Sequence, residues 1–340
     1  MYFKYMKETD YKVDVFTGIR PSGGLTIANV IGSVHTIVKL QSEEHIGRPM
    51  VFVADLHALT DAEPKDTQKY VIDVVKDYIV LGLNPSKNDI FVQSQIVEEI
   101  GELNLYLSRL ISIAELMRVP TLKEKIKKGM SENTANALLA MYPIMMSADI
   151  LLQKSKFVPV GEDQVAHVEM ARVLATKFNK KYGEVLAVPR VLSLGNPARI
   201  KSLDGNGKMS KSNPSGAILL DDPIEISLSK VKKAQTAFAK EKSDSLDSLV
   251  LIGKFVGDEQ VGKEIDDIMK RHFSGENVMG TLKEVIMKSL KVYLENFQKE
   301  KALIKDEDVK GILQRGSELA RKNAKETIAE VRKAMSLEYV

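Results

Sequence analysis

Two apolar patterns alternate along the first half of the chain. VDVFTGI (13–19), MVFVAD (50–55), DIFVQSQ (89–95) and FVPV (157–160) are short continuous runs ending in polar or glycine-bearing loops, and such runs predict buried strands. Between them the apolar positions spread to helical spacing. Ile27, Val30, Ile31, Val34, Ile37 and Val38 share one helical face by the i, i+3, i+4, i+7 rule. YVIDVVKDYIVLGL (70–83) and AHVEMARVLATKF (166–178) repeat that pattern. Strands alternating with helices predict an α/β fold with a mostly parallel sheet covered on both faces. Ligands of such sheets lie beyond the carboxyl ends of the strands, and here those ends carry TGIRPSGG, DLHALTD, QSQ and VGEDQ.

After Pro223 the strand-like runs nearly vanish. EIDDIMKRHF, TLKEVIMKSLKVYLENF and DVKGILQRGSELARKNAKETIAEVRKAM are amphipathic helical patterns with mixed charge, so the chain divides into residues 11–222 and a helical part, 223–340. A length of 340 residues agrees with about two domains. The net charge of +3 on 49 basic and 46 acidic side chains is too even for non-specific coating of nucleic acid. Absence of cysteine excludes disulfides, thiol nucleophiles and thiolate metal sites in this chain. The five histidines are scattered, so no dedicated protein-ligated metal is expected. MYFKYMKETDYKVDV has no signal-like apolar core and no run approaches a membrane span, which predicts a soluble cytoplasmic protein without a membrane partner.

Five segments carry candidate chemistry, and each has a plain structural reading beside it. GNGKMSKSN (205–213) reads as a solvated loop or as a phosphate clamp, since ammonium groups, hydroxyls and glycine-freed N–H groups suit an anion; its spacing is not that of GxxxxGK[ST]. In PSGGLTIAN, Thr26 and Asn29 share the first helical turn, as a simple N-cap or beside a phosphate. In MYPIMMSADILLQ, Asp149 interrupts an apolar helix and needs a donor, from a lysine or arginine, from water at the helix's one wet edge, or from a ligand N–H; Tyr142 and Met146 lie near the same helical face. In VPVGEDQ, Asp163 is a helix cap or, with Gly161 and Gln164, a ligand contact. His57, in DLHALT, is a structural histidine or borders the same crevice.

Together and in this order these segments resemble the tryptophanyl-tRNA synthetases of the bacterial type, within the class I synthetases. TIAN (26–29) matches that family's variant of the HIGH signature and KMSKS (208–212) its second signature, with TGIRPSG, DLHALT, MYPIMMSADILL and VPVGEDQ between them and ELARKNAKETIAEVRKAM as the closing helix. The resemblance implies a Rossmann-like catalytic domain, a helical domain that contacts the tRNA anticodon, and a homodimer. It also implies activation of L-tryptophan with ATP and Mg2+ to tryptophanyl-adenylate, followed by transfer to the 3′ end of tRNA(Trp).

Residue by residue, the resemblance sets Thr26 and Asn29 against the phosphates and ribose of ATP, with Arg20, Ser22, Gly23, Ala28 and Met209 also on the ATP side. Lys208, Ser210 and Lys211 hold pyrophosphate as the KMSKS loop closes on its glycines. Asp149 accepts the indole N–H, Met146, Phe16 and Val160 pack on the ring, and Tyr142 and Gln164 bind the ammonium, with Gly18 and His57 nearby. Gly161 and Asp163 face the ribose, and Lys123 and Lys125 approach the phosphates. Ala28 departs from the family, which has glycine there to let adenine lie against the backbone. Tyrosyl-tRNA synthetase is the nearest rival, but a lone carboxylate in a Met-lined helix suits an indole donor better than a phenol. A nucleotidyltransferase that uses no RNA is the other, and the long helical part argues against it.

Overall fold

In the computed structural model, residues 11–21, 23–43, 47–60, 64–119, 136–161, 164–193, 200–211 and 213–339 are described. Ser22, Lys123, Lys125, Asp163 and Ser212 lie outside them. Five parallel strands form one sheet in the order β3-β2-β1-β4-β5: β1 (Val13–Ile19), β2 (Met50–Val53), β3 (Asp89–Val92), β4 (Ser155–Val160) and β5 (Arg190–Ser193). This is the Rossmann-like order that reverses direction between β1 and β4, where ligands of such sheets bind. The sequence reading lacks β5, which follows Pro189 directly.

The strands read as unbroken apolar runs because both faces are covered. Val51, Val53 and Ile90 belong to one core, while Met50, Phe52 and Phe91 belong to the other, as side-chain alternation requires. The first core takes in α1 (Ile27–Asn29), a π turn (Val30–Val34), α2 (His35–Leu40) and α4 (Pro64–Val80), which follows the one-turn α3 (Asp55–Ala58). The second is built on α5 (Val97–Ser108), α7 (Ala137–Leu152) and α8 (Val165–Tyr182), with the short α6 (Ile113–Leu116) beside them. The π turn breaks the single helix expected over this stretch, yet Ile27, Val30, Val34 and Ile37 stay buried.

Beyond Pro223 the described chain is helical: α9 (Ile224–Lys233), α10 (Asp244–Val256), α11 (Glu259–Ser274), α12 (Met279–Leu303) and α13 (Asp306–Ala334). Leu249, Ile265 and Leu290 extend the first core, so helices α10 to α12 pack as one body with the α4 side of the sheet. The last helix returns to the opposite face. Ala320, Ala324, Ile328 and Val331 of α13 join the second core. Gly316 is there because a Cβ at this point would collide with the Ile90 carbonyl of β3. Gln153 Nε2 donates to Ala320 O at 3.0 Å and Thr327 Oγ1 to Leu152 O at 2.8 Å. Among the described residues, no helix is long and apolar enough to cross a membrane.

Candidate active site

A cleft of about 580 Å³ opens at the carboxyl ends of β1 and β4. The ladder between these strands pairs Val13 with Ser155 and Val15 with Phe157. Beyond that, β1 continues against β2 to Ile19 and β4 against β5 to Val160, so the two part. Pro159 has no N–H with which to extend the ladder. Phe16, Gly18 and Arg20 line one wall and Val160, Gly161 and Gln164 the other, while His57, Tyr142 and Met146 close it from α3 and α7. Nine expected residues thus meet in one place. Phe16 stacks on Phe52 with ring centroids 4.9 Å apart and planes 10° from parallel. Gly18 has to be glycine, since a Cβ there would stand 2.7 Å from the Phe52 ring.

Asp149 is 2% exposed and stands behind this wall. Both its oxygens accept from Gln93 Nε2, at 2.9 and 2.8 Å, and Oδ2 also meets His57 Nε2 at 3.0 Å. Its donors are therefore an amide and an imidazole, where the sequence reading expected a lysine or arginine, water, or the ligand alone. Burial pushes its carboxyl above the ordinary range, and the hydrogen bonds from His57 and Gln93 oppose that. A carboxylate has about four lone-pair sites, so one further donor fits. Gln93 follows β3 directly and is fully buried; its Oε1 also accepts from His57 N at 3.3 Å. Sequence reasoning noted the QSQ loop without singling Gln93 out. It also passed over His167, whose Nε2 lies 3.3 Å from Tyr142 Oη on the cleft wall. The signal was present: His167 sits on the face of α8 that buries Val168, Ala171, Leu174 and Phe178.

The second half of the site is built on hairpin pairing. Ser202 N donates to Gly207 O and Met209 N to Ile200 O, with the turn held by Gly205 and Gly207 at φ 79° and 74°, where glycine is unstrained. The chain then runs antiparallel to the signature turn: Ile27 N donates to Ile218 O and Leu220 N to Leu25 O, both at 2.9 Å. Lys211 Nζ donates to Gly23 O at 2.7 Å, and burial draws its ammonium below the usual range, helped by Arg20 and opposed by Asp77 and Asp221. Lys208 is exposed, Ser210 half-buried and Met209 buried in the core, so any contact by Met209 is through its backbone. Thr26 and Asn29 form a reciprocal cap: Asn29 N donates to Thr26 Oγ1, while Thr26 N and Oγ1 donate to Asn29 Oδ1. Thr26 is buried, Asn29 is exposed, and Ala28 packs partly against the first core. Arg20 joins the halves, lining the cleft and acting by its charge on Lys211.

Residues 7–291 match the family described as tRNA synthetases class I (W and Y). The chain is 36% identical over 338 residues to the tryptophan–tRNA ligase of Caldanaerobacter subterraneus subsp. tengcongensis, covering 95% of this chain and 98% of that one. To that of Rickettsia felis it is 35% identical, with 94% and 98% covered. Among solved structures, the tryptophanyl-tRNA synthetase of Campylobacter jejuni complexed with ADP and tryptophan superposes with a TM-score of 0.81 at 29% identity, over 95% of this chain and 100% of that one. The Mycoplasma pneumoniae enzyme gives 0.81 at 30%, over 96% and 98%. The chain belongs to the class I tRNA synthetases of the tryptophan and tyrosine family, on the bacterial tryptophanyl branch.

Proposed function

We propose that the protein is a cytoplasmic tryptophan–tRNA ligase that works as a homodimer. It joins L-tryptophan to ATP and then to tRNA(Trp). The tryptophan carboxylate, ionised at neutral pH without a general base, attacks the α-phosphorus of ATP in line and pyrophosphate leaves. The 3′-terminal ribose hydroxyl of the tRNA then attacks the adenylate carbonyl, and AMP leaves. The indole lies between Phe16, Met146 and Val160 with its N–H on Asp149, while Tyr142 and Gln164 take the ammonium beside Gly18 and His57. ATP lies along Arg20, Ser22, Gly23, Thr26, Ala28, Asn29, Gly161 and Asp163, with its pyrophosphate on Lys208, Ser210 and Lys211. Catalysis is alignment plus charge stabilisation.

Mg2+ enters with the triphosphate and supplies charge neutralisation there. The cation's ligands are proposed to be phosphate oxygens and water. The helices after residue 223 are proposed to read the anticodon.

The observation that carries this reading is the join between an apolar cleft backed by a buried acceptor and a lysine-bearing hairpin docked on the Gly23 turn. Its test is ATP–pyrophosphate exchange with each of the twenty amino acids, followed by charging of tRNA. Exchange is expected with tryptophan alone. Asp149→Ala is expected to lower kcat/KM for tryptophan by at least about 100-fold while KM for ATP stays within about twofold, because a site built on a polar partner depends on it. Exchange driven by tyrosine, or by no amino acid, overturns the assignment.

A further inference from the structure

The carboxyl end of α12 is nearly 280 residues in sequence from the signature turn, yet it holds the chain that the turn is paired with. Gln298 Nε2 donates to Leu220 O at 2.8 Å and to Asp222 O at 3.0 Å. One helical turn on, Lys301 Nζ lies 2.5 Å from Asp77 Oδ1 of α4 and 2.7 and 2.8 Å from the two oxygens of Asp221. The Lys301 side chain is 15% exposed, that of Asp77 only 1% and that of Asp221 40%, so this ammonium bridges a buried carboxylate and one that faces water.

The segment so held is the partner strand of Leu25–Ile27, and Asp221 itself abuts the turn. A Cβ on Gly24 would stand 3.0 Å from Asp221 Oδ2. On the other side of the same turn Lys211 donates to Gly23 O, and the charges of both Asp77 and Asp221 reach Lys211. Lys301 is the cation that ties Asp221 to Asp77 of α4, so without it the two carboxyl groups repel each other and Asp221, beside the Gly24 backbone, loses that tie.

We propose that Lys301 is a positioning residue for the ATP half of the site, fixing the 220–222 segment behind the Gly23 turn. It touches neither substrate. The proposal rests on the ATP-dependent reading above, and it predicts a split between substrates, because the tryptophan cleft lies at β1 and β4 on other residues.

The test uses the full chain. It has no tryptophan of its own, so binding of L-tryptophan is followed by the ligand's fluorescence without a protein tryptophan signal. ATP binding is followed by equilibrium dialysis, and both are compared with exchange kinetics. Lys301→Met is expected to raise Kd and KM for ATP about tenfold and to leave Kd for tryptophan within about twofold. Lys301→Arg keeps the charge and is expected to stay near the wild type. In Lys301→Met with Asp221→Asn, removal of one carboxylate is expected to restore part of the ATP affinity. Equal loss of both ligands with a lowered Tm, or no rescue by the second substitution, assigns Lys301 a purely structural role and overturns the proposal. If the wild type itself binds neither ligand, the functional reading fails instead.

Discussion

Asp77 shows what burial does to a single carboxyl. It is 1% exposed, and burial raises its pKa to about 6 against the pull of Lys301, with Asp221 and Asp73 adding to the rise. Burial lowers Lys301 in turn, but its hydrogen bonds to Asp221 and its ion pair with Asp77 outweigh that and leave it raised. Desolvation thus wins at the carboxyl, where no second donor helps, and attraction wins at the ammonium, which has two partners. The sign for stability follows. A carboxyl whose folded pKa lies above its unfolded value makes the folded state bind protons more tightly, so its contribution falls as pH rises from about 4 to about 6. The span from the ordinary 3.8 to about 6 corresponds to about 3 kcal/mol. The stability of the wild type minus that of Asp77→Asn is therefore expected to decrease by about that amount between pH 4 and pH 7, measured by urea denaturation. A difference that grows with pH instead means that Lys301 overcomes the desolvation.

At the scale of elements, α13 lies last in sequence but packs across β3 of the parallel sheet. Its approach depends on Gly316 against the Ile90 carbonyl. Gly316→Ala would otherwise favour an exposed helix, but here it is expected to destabilise by about 1–3 kcal/mol, as overpacking does, with a matching fall in Tm. An unchanged or higher Tm means that helix and strand separate without cost. The helix itself was legible as an amphipathic repeat, but its destination was not, since periodicity gives a face and not the surface it meets. The same limit explains the other differences. Four strands were readable because each is an apolar run beside a polar loop, whereas β5, as Arg190–Ser193, holds only two apolar residues between polar ones. The π turn adds no change in composition to the chain around Val30. In the site, the cleft residues were legible because their types are unusual for their neighbourhood: Asp149 among methionines, lysines among glycines. Gln93 was not, because a buried glutamine acquires meaning from a partner distant in sequence, here Asp149; for His167 the helical face was legible, but its partner Tyr142 was not.

The whole molecule is covered unevenly. The helices of the second core leave large apolar side chains outside: Leu105 of α5 is 69% exposed, Ile113 of α6 81% and Val173 of α8 49%, with Met141 of α7 at 39%. These elements are neighbours, since α7 packs between α5 and α8 and Lys177 of α8 donates to Leu110 O and pairs with Glu115 of α6. An apolar group in water costs about 25 cal/mol for each Å² left uncovered, and isologous dimers cover such a surface with its own copy. This is the face on which the proposed homodimer is expected to form. α7 and α8 also supply Tyr142, Met146, Asp149 and His167 to the site, so the interface would support the helices of the proposed tryptophan cleft. Light scattering coupled to size exclusion is expected to give twice the mass of one chain for the wild type at about 10 μM, a concentration at which interfaces of standard size hold. Ile113→Asp with Leu105→Asp is expected to give a folded monomer by circular dichroism, because neither side chain belongs to a core, with Tm lowered only as loss of the partner subunit requires. A wild type that elutes as a monomer removes the dimer; a doubly substituted protein that remains dimeric moves the interface to another face.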